Sequence, residues 1–403
     1  RTFASSWSSL IGCDDCGFKS MPTLSFSKVL CLFGIYCIIK IKATASCSNT
    51  LKVDYMLDDQ NVLSQRDSHG ALEVAAHLYE QASFVPELEN AAHDGREITS
   101  VIVAGMGGSA LAANVAKTLL ERTFEIPFEV VEGYDLPAYA SSETLVITSS
   151  HSGNTEETVS CLEQAIERGC QIAATATGGQ LEAIARQHDI MFASMPTGTQ
   201  PRMAMIYNLK AILRILEEFG LMSDEHSMTI ASSTDWLSEE SARWEKTVGT
   251  ELNYAKQLAL LSVGKTPVFY AGPLMAPVAY KWKISWNENA KNVSFCNQLP
   301  EFNHNEFLGW TSHPIEKPFV IFDLVSELEH PQVLKRFALS DRLLSGRRPK
   351  ANIIPMEGET LIRQILRGCI LADFVSIYVG ILNGVDPTEV DLIEKFKEEL
   401  SSY

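Results

Sequence analysis

Ser150-His151-Ser152-Gly153-Asn154-Thr155-Glu156-Glu157 sets three hydroxyls at i, i+2 and i+5 on a predicted strand-to-helix turn. Hydroxyls and the amides of a helix N-terminus all donate, and the helix dipole favours negative charge there. The run therefore reads as a phosphate cradle. A serine-rich N-cap turn has the same composition, and the hydroxyls alone do not choose between the two. Gly105-Met106-Gly107-Gly108-Ser109 favours the cradle, because it too follows a strand and opens a helix. Its glycines let backbone approach a ligand, and Ser109 adds a hydroxyl. The match to a dinucleotide fingerprint is loose, with Ala110 in the last position and an ambiguous acidic partner downstream. No Gly-Lys-Ser/Thr follows to make a P-loop. No cofactor is expected.

A second group lies in the other half of the chain. Asn287-Glu288-Asn289-Ala290-Lys291 closes a predicted helix, and Pro300-Glu301-Phe302-Asn303-His304-Asn305-Glu306 follows, with His304 16 residues after Glu288. A glutamate and a histidine near one sugar suit aldose–ketose isomerisation, in which one group opens the ring and a carboxylate moves a proton between C2 and C1. Taken singly, Glu288 also fits a helix-end surface acid and His304 a loop histidine. His304, Glu306 and His313 lack a regular ligand spacing, so no metal is expected.

The elements that must position these groups alternate. Strands are predicted at 100–104, 144–149, 172–177 and 190–194, separated by helical stretches, with Gly/Ser turns after the first three. That order indicates a parallel sheet covered on both faces, whose ligands bind outside the strand C-termini. Residues 221–245 are polar and turn-rich and are expected to link two domains. A second series follows: a strand at 268–271, a helix at about 274–291, strands at 319–323 and 352–355, and a long helix from 359. The expected fold is α/β, with two three-layer αβα domains at 56–220 and 246–403, each with a mostly parallel sheet. The 361–382 stretch is apolar but contains Arg363, Gln364, Arg367 and Asp373, so it reads as a buried core helix. No membrane partner is expected.

Composition narrows the function. The 403 residues are 46% hydrophobic and 21% charged, with a formal net charge of −17. Such a chain has material for real cores and opposes sequence-independent nucleic-acid binding, which requires cations to neutralise phosphates. An anionic ligand must be caught locally. Residues 1–55 carry six Lys/Arg and three Asp/Glu, and five of the nine cysteines (Cys13, Cys16, Cys31, Cys37 and Cys47). From Met21, the apolar run 29–39 and Ala43-Thr44-Ala45 have signal-peptide character, but Lys40 and Lys42 interrupt the cleavage region. Residues 1–55 are expected to be an extension outside the fold. The scattered Cys161, Cys170, Cys296 and Cys369 make no disulfide framework.

The two glycine/serine loops resemble the sugar isomerase (SIS) domain, whose signature is S-x-S-G-N-T-x-E preceded by G-x-G-G-S. The resemblance implies that Gly107, Gly108, Ser109, Ser150, Ser152 and Thr155 hold a sugar phosphate. His151 departs from the pattern, which usually has tyrosine there. With Glu288 and His304, the chain over about 56–400 resembles the bifunctional phosphoglucose/phosphomannose isomerase family, built from two SIS domains. Met56-Leu57-Asp58-Asp59 looks like a usual family start. The resemblance implies interconversion of glucose 6-phosphate or mannose 6-phosphate with fructose 6-phosphate through a cis-enediol, without a metal. By it, Glu288 shuttles the proton and His304, reaching in from the neighbouring subunit of a homodimer, assists ring opening. Arg202 of Pro201-Arg202 stabilises the enediolate, Lys397 on the closing helix joins ring opening with Lys395 as its rival, and Thr388 shapes the pocket. A cytoplasmic location is expected, which makes the Asn292-Val293-Ser294 sequon incidental. The alternatives are another SIS isomerase acting on an amino-sugar or pentose phosphate, and a non-catalytic sugar-phosphate sensor.

Overall fold

The computed structural model describes residues 39–41, 53–312 and 318–402, and the chain divides into two units, 1–54 and 55–403. The first unit contains the described strand Ile39–Ile41. The five N-terminal cysteines, the Ala43–Ala45 segment and His313 lie outside the described residues. The second unit carries both sheets and every other group discussed below.

The first sheet of that unit comprises β1 (Leu88–Glu89), β2 (Ser100–Gly105), β3 (Phe128–Val131), β4 (Thr144–Ser149), β5 (Gln171–Ala176) and β6 (Met191–Ser194), in the order β1-β6-β5-β4-β2-β3. All pairs are parallel except the short edge strand β1. Every residue of β2 and β4 is buried. Their continuous Val/Ile runs, without polar alternation, are what a strand covered on both faces needs. In register, Gly105 pairs with Ser149 and Ser149 with Thr175, so the loops after β2 and β4 leave the sheet side by side.

The second sheet comprises β7 (Thr266–Ala271), β8 (Phe295–Gln298), β9 (Phe319–Val325) and β10 (Ala351–Pro355), all parallel, in the order β8-β7-β9-β10. This repeats the order β3-β2-β4-β5 of the first sheet. The two halves thus share a topology that no sequence repeat announced. The half-exposed edge strands β3 and β8 were not predicted, since Phe-Cys-Asn-Gln over β8 has neither an apolar run nor a clean alternation.

The core between the sheets is helical. Helices α1 (Gly107–Leu120), α2 (Glu156–Glu167), α3 (Gly179–Gln187) and α4 (Met205–Glu218) belong to the first half. Residues 221–245, expected as a linker, instead contain α5 (Glu225–Ala231) and α6 (Thr234–Ala242). Their polarity is satisfied internally: the buried Glu240 carboxylate accepts from Arg367 Nε at 2.6 Å. In the second half, α7 (Ala276–Asn289) packs on α9 (Leu361–Asn383), while α8 (Pro331–Leu343) packs in a separate cluster with Val268, Tyr270 and Ile321. Trp282 and Trp286 of α7 stack with ring centroids 5.6 Å apart and both lean on Phe269 of β7. Helix α9 is long and apolar enough to cross a membrane by length and composition, and 94% of that stretch is buried inside the protein.

Candidate active site

Each loop contains a glycine that leaves no room for a side chain. Gly153 has φ +70°, and a Cβ there would sit 1.8 Å from Gly178 O. A Cβ on Gly108 would lie 2.5 Å from Pro201 O, so the start of α1 is pressed against the backbone that carries Arg202. Gly107, exposed and at φ +52°, has open space around it.

The hydroxyls are not equivalent. Thr155 stands at the N-cap of α2, yet its side chain makes no cap bond; it pairs with Ser150 Oγ at 2.8 Å. This disfavours the simple capping role. Ser150 Oγ also accepts from Gly153 N at 3.1 Å, and the exposed Ser152 accepts from Asn154 N at 3.3 Å. Ser109 is buried and its hydroxyl donates to Asn208 Oδ1, as does that of Ser149. Asn208, which the sequence reading missed, therefore anchors both loops from below. His151 donates from Nε2 to Thr199 O at 2.9 Å, tying this loop to the segment that precedes Arg202. Burial holds its imidazole below the ordinary histidine range, although the carbonyl bond acts the other way.

Arg202 is the meeting point of the two halves. It is 2% exposed and sits in a short 3₁₀ turn, Pro201–Met203. Its Nε donates to Asn289 Oδ1 at 2.6 Å, and Nη1 reaches Glu288 Oε2 at 3.3 Å and Gln200 Oε1 at 3.4 Å. Its Nη2 donates to Pro387 O at 3.0 Å and Thr388 O at 3.3 Å. Helix α7 ends at Asn289, with Lys291 at φ +50°, so its last turn presents Glu288 and Asn289 together. Glu288 remains 29% exposed. Helix α9 stops at Gly384, left-handed at φ +77°, and the chain turns back to bring the Pro387 and Thr388 carbonyls onto the guanidinium. Lys291 Nζ donates to Asp386 O at 2.7 Å and Pro387 O at 3.1 Å. Burial and the Arg202 charge hold its ammonium below the usual lysine range.

The structure thus joins Arg202, Glu288 and Thr388, and sets Gly108 against Pro201. His304 is exposed at the end of the 3₁₀ turn Glu301–His304 and, among the described residues, makes no hydrogen bond to that group. Lys397 lies on the exposed helix α10 (Asp391–Ser401), paired with Glu394 at 2.9 Å, while Lys395 faces Glu399 at 3.8 Å. Glu306 accepts from Tyr270 and, at 2.7 Å, from Asn297, so it serves as a structural acceptor. A cavity of 440 Å³ contains His93, Asp94, Arg96 and Phe219 in its lining. Gln171 and Met191 also line it, which puts it at the N-terminal ends of β5 and β6, opposite the loops above.

A carboxylate beside a buried guanidinium, next to glycine and hydroxyl loops, can hold an anion and move a proton near it. Known proteins bear on which kind. Residues 96–221 match the SIS domain family, and residues 251–400 match the bacterial phospho-glucose isomerase C-terminal SIS domain. The chain is 32% identical to a bifunctional phosphoglucose/phosphomannose isomerase of Aquifex aeolicus over 79% of its own length and 95% of the relative's. To one of Caldicellulosiruptor bescii it is 33% identical over 76% and 90%. A crystal structure of a glucose-6-phosphate isomerase like protein from Thermus thermophilus superposes with a TM-score of 0.57 at 18% identity, covering 85% of this chain and 98% of that one. The last shows the two-SIS fold alone; the sequence relatives go further. The chain belongs to the bifunctional phosphoglucose/phosphomannose isomerase family.

Proposed function

We propose that the protein is an aldose–ketose isomerase interconverting glucose 6-phosphate and mannose 6-phosphate with fructose 6-phosphate. The observation that carries this reading is the Arg202–Glu288 contact, made across the two halves beside the Gly108 loop. The phosphate is held at Gly107, Gly108, Ser150, Ser152 and Thr155. Ser109 supports them through Asn208.

With the ring open, the Glu288 carboxylate takes the C2 proton, the released electron pair forms the C1–C2 double bond, and O1 gains the negative charge or a proton. The O2 proton passes to O1, the O2 electron pair forms the C2=O bond, and Glu288, now a neutral acid, returns its proton to C1 to give the ketose. Arg202 suits the intermediate, because its charge is permanent and its donors are fixed. While Glu288 is ionised it shares that charge; once protonated it leaves the charge to the enediolate oxygen. The planar C2 can be reprotonated from either face, which admits both epimers, and Thr388 is placed to shape that side. His304 and Lys397 are assigned to ring opening. A second copy of the chain supplies His304, which makes the working unit a homodimer in the cytoplasm.

The test is a coupled assay with each hexose 6-phosphate in EDTA. Interconversion in the chelator supports the reading. Turnover that needs added metal would overturn the metal-free mechanism, and tight binding without turnover would favour a sugar-phosphate sensor.

A further inference from the structure

Five acceptors surround the Arg202 guanidinium, and four of them are neutral: the Asn289 and Gln200 amide oxygens and the Pro387 and Thr388 carbonyls. Among the described residues, Glu288 is the one anion that contacts it. The shortest contact, 2.6 Å, is to Asn289, which is 1% exposed. An arginine Nε only donates, so the amide must present its oxygen. Its nitrogen then donates to Ser376 Oγ at 2.9 Å, and Ser376 donates onward to Asp373 O at 3.1 Å. The backbone at this position is closely packed as well: a Cβ on Gly380 would lie 2.6 Å from the Asn289 main-chain carbonyl oxygen. On the other side Lys281 Nζ donates to both Arg202 O and Asp373 Oδ1 at 2.6 Å, so side chain and backbone of Arg202 are anchored in one buried network.

We propose that Asn289 is a positioning residue selected for neutrality as well as shape: it fixes Arg202 against Glu288 without consuming the arginine's charge. A carboxylate of the same size would fit the same bond and bind a guanidinium more strongly. It would also compensate that charge permanently. Nothing would then remain for the enediolate at the moment Glu288 becomes neutral. The inference rests on the isomerase reading above and adds a requirement on the electrostatics around the arginine.

The discriminating variant is Asn289→Asp, compared with wild type in steady-state isomerisation of fructose 6-phosphate. A positioning role through charge predicts that kcat falls roughly 10²-fold, the scale of losing one oxyanion donor, at nearly unchanged KM. A merely structural role predicts lowered stability at wild-type kcat, since the bond to Nε survives while the donation to Ser376 Oγ is lost. Gln200→Glu places a carboxylate on Nη1 from a partly exposed loop, where folding is not at stake, and should lower kcat in the same way. Near-normal kcat in Gln200→Glu and in soluble Asn289→Asp would overturn the inference. If Asn289→Asp does not fold, Gln200→Glu decides alone. An active wild type with unaffected variants sinks only this inference, whereas an inactive wild type sinks the isomerase reading and this inference with it.

Discussion

The two halves of the unit follow one plan to opposite ends. In each, the first strand runs through a glycine turn into a helix, and the third strand ends in a loop beside that turn. In the first half the loop after β4 brings hydroxyls and a glycine, leaving Ser152 and Gly107 exposed. In the second half the corresponding loop after β9, residues 326–330, brings Glu329 instead. Its carboxylate, 4% exposed, accepts from Leu274 N at 2.9 Å at the turn after β7. A Cβ on Gly272 would be 2.4 Å from the carboxyl carbon. Where the proposed function has one half present donors to an outside anion, the other satisfies them with its own carboxylate. The topology therefore makes two equivalent turns, and in the second half one side chain, Glu329, fills the turn. The filled half is then free to contribute the end of α7, with Glu288, to chemistry at the open one.

This division of labour makes predictions that separate the halves, the largest first. Glu288→Gln should lower kcat by at least the roughly 10²–10⁴-fold attached to a general base. Fructose 6-phosphate should still bind with near-normal affinity in calorimetry, because the phosphate sits on the other half. The double variant Ser152→Ala/Thr155→Ala should behave inversely. Each hydroxyl offers a dianion a bond worth roughly 1.5–3 kcal/mol, so losing both should raise KM roughly 10²–10⁴-fold with a smaller effect on kcat. Glu329→Ala should leave KM close to wild type and instead cost about 1–3 kcal/mol of unfolding free energy in urea, because it strands buried amides at the start of the second half. A KM rise matching that of the Ser152/Thr155 variant would place the phosphate in the wrong half and undo the comparison.

The smallest effect concerns the strap between the loops. Burial keeps His151 neutral in the folded chain below the pH at which an unfolded histidine protonates, about 6.5. Below that pH the unfolded chain binds more protons, so the stability present above it is lost as pH falls. His151→Gln retains a donor for Thr199 O and removes the titration. Urea midpoints at pH 7.5 and 5.5 should therefore diverge more for wild type than for the variant. Equal divergence would show that other groups carry the dependence.

Much of this protein is written locally in its sequence. Strand runs such as 100–105 and 144–149 are continuous Val/Ile/Thr segments because both faces are covered. The Gly/Ser loops are legible because left-handed or sterically closed backbone demands glycine at Gly107 and Gly153. The identities of Arg202 and Glu288 were legible too, through family motifs. What tertiary structure alone decided is the pairing. Arg202 meets Pro387 across 185 positions and Asn289 across 87, and no periodicity or spacing encodes a contact at such a range. The same holds for Asn208 beneath both loops, for Glu329 filling the second turn, and for Glu240 with Arg367 turning an apparently polar linker into packed helices. A short-range pattern reports how a residue meets its own element. A buried polar side chain is settled by whichever donor or acceptor the fold delivers to it, because leaving it unpaired costs more than almost any local preference.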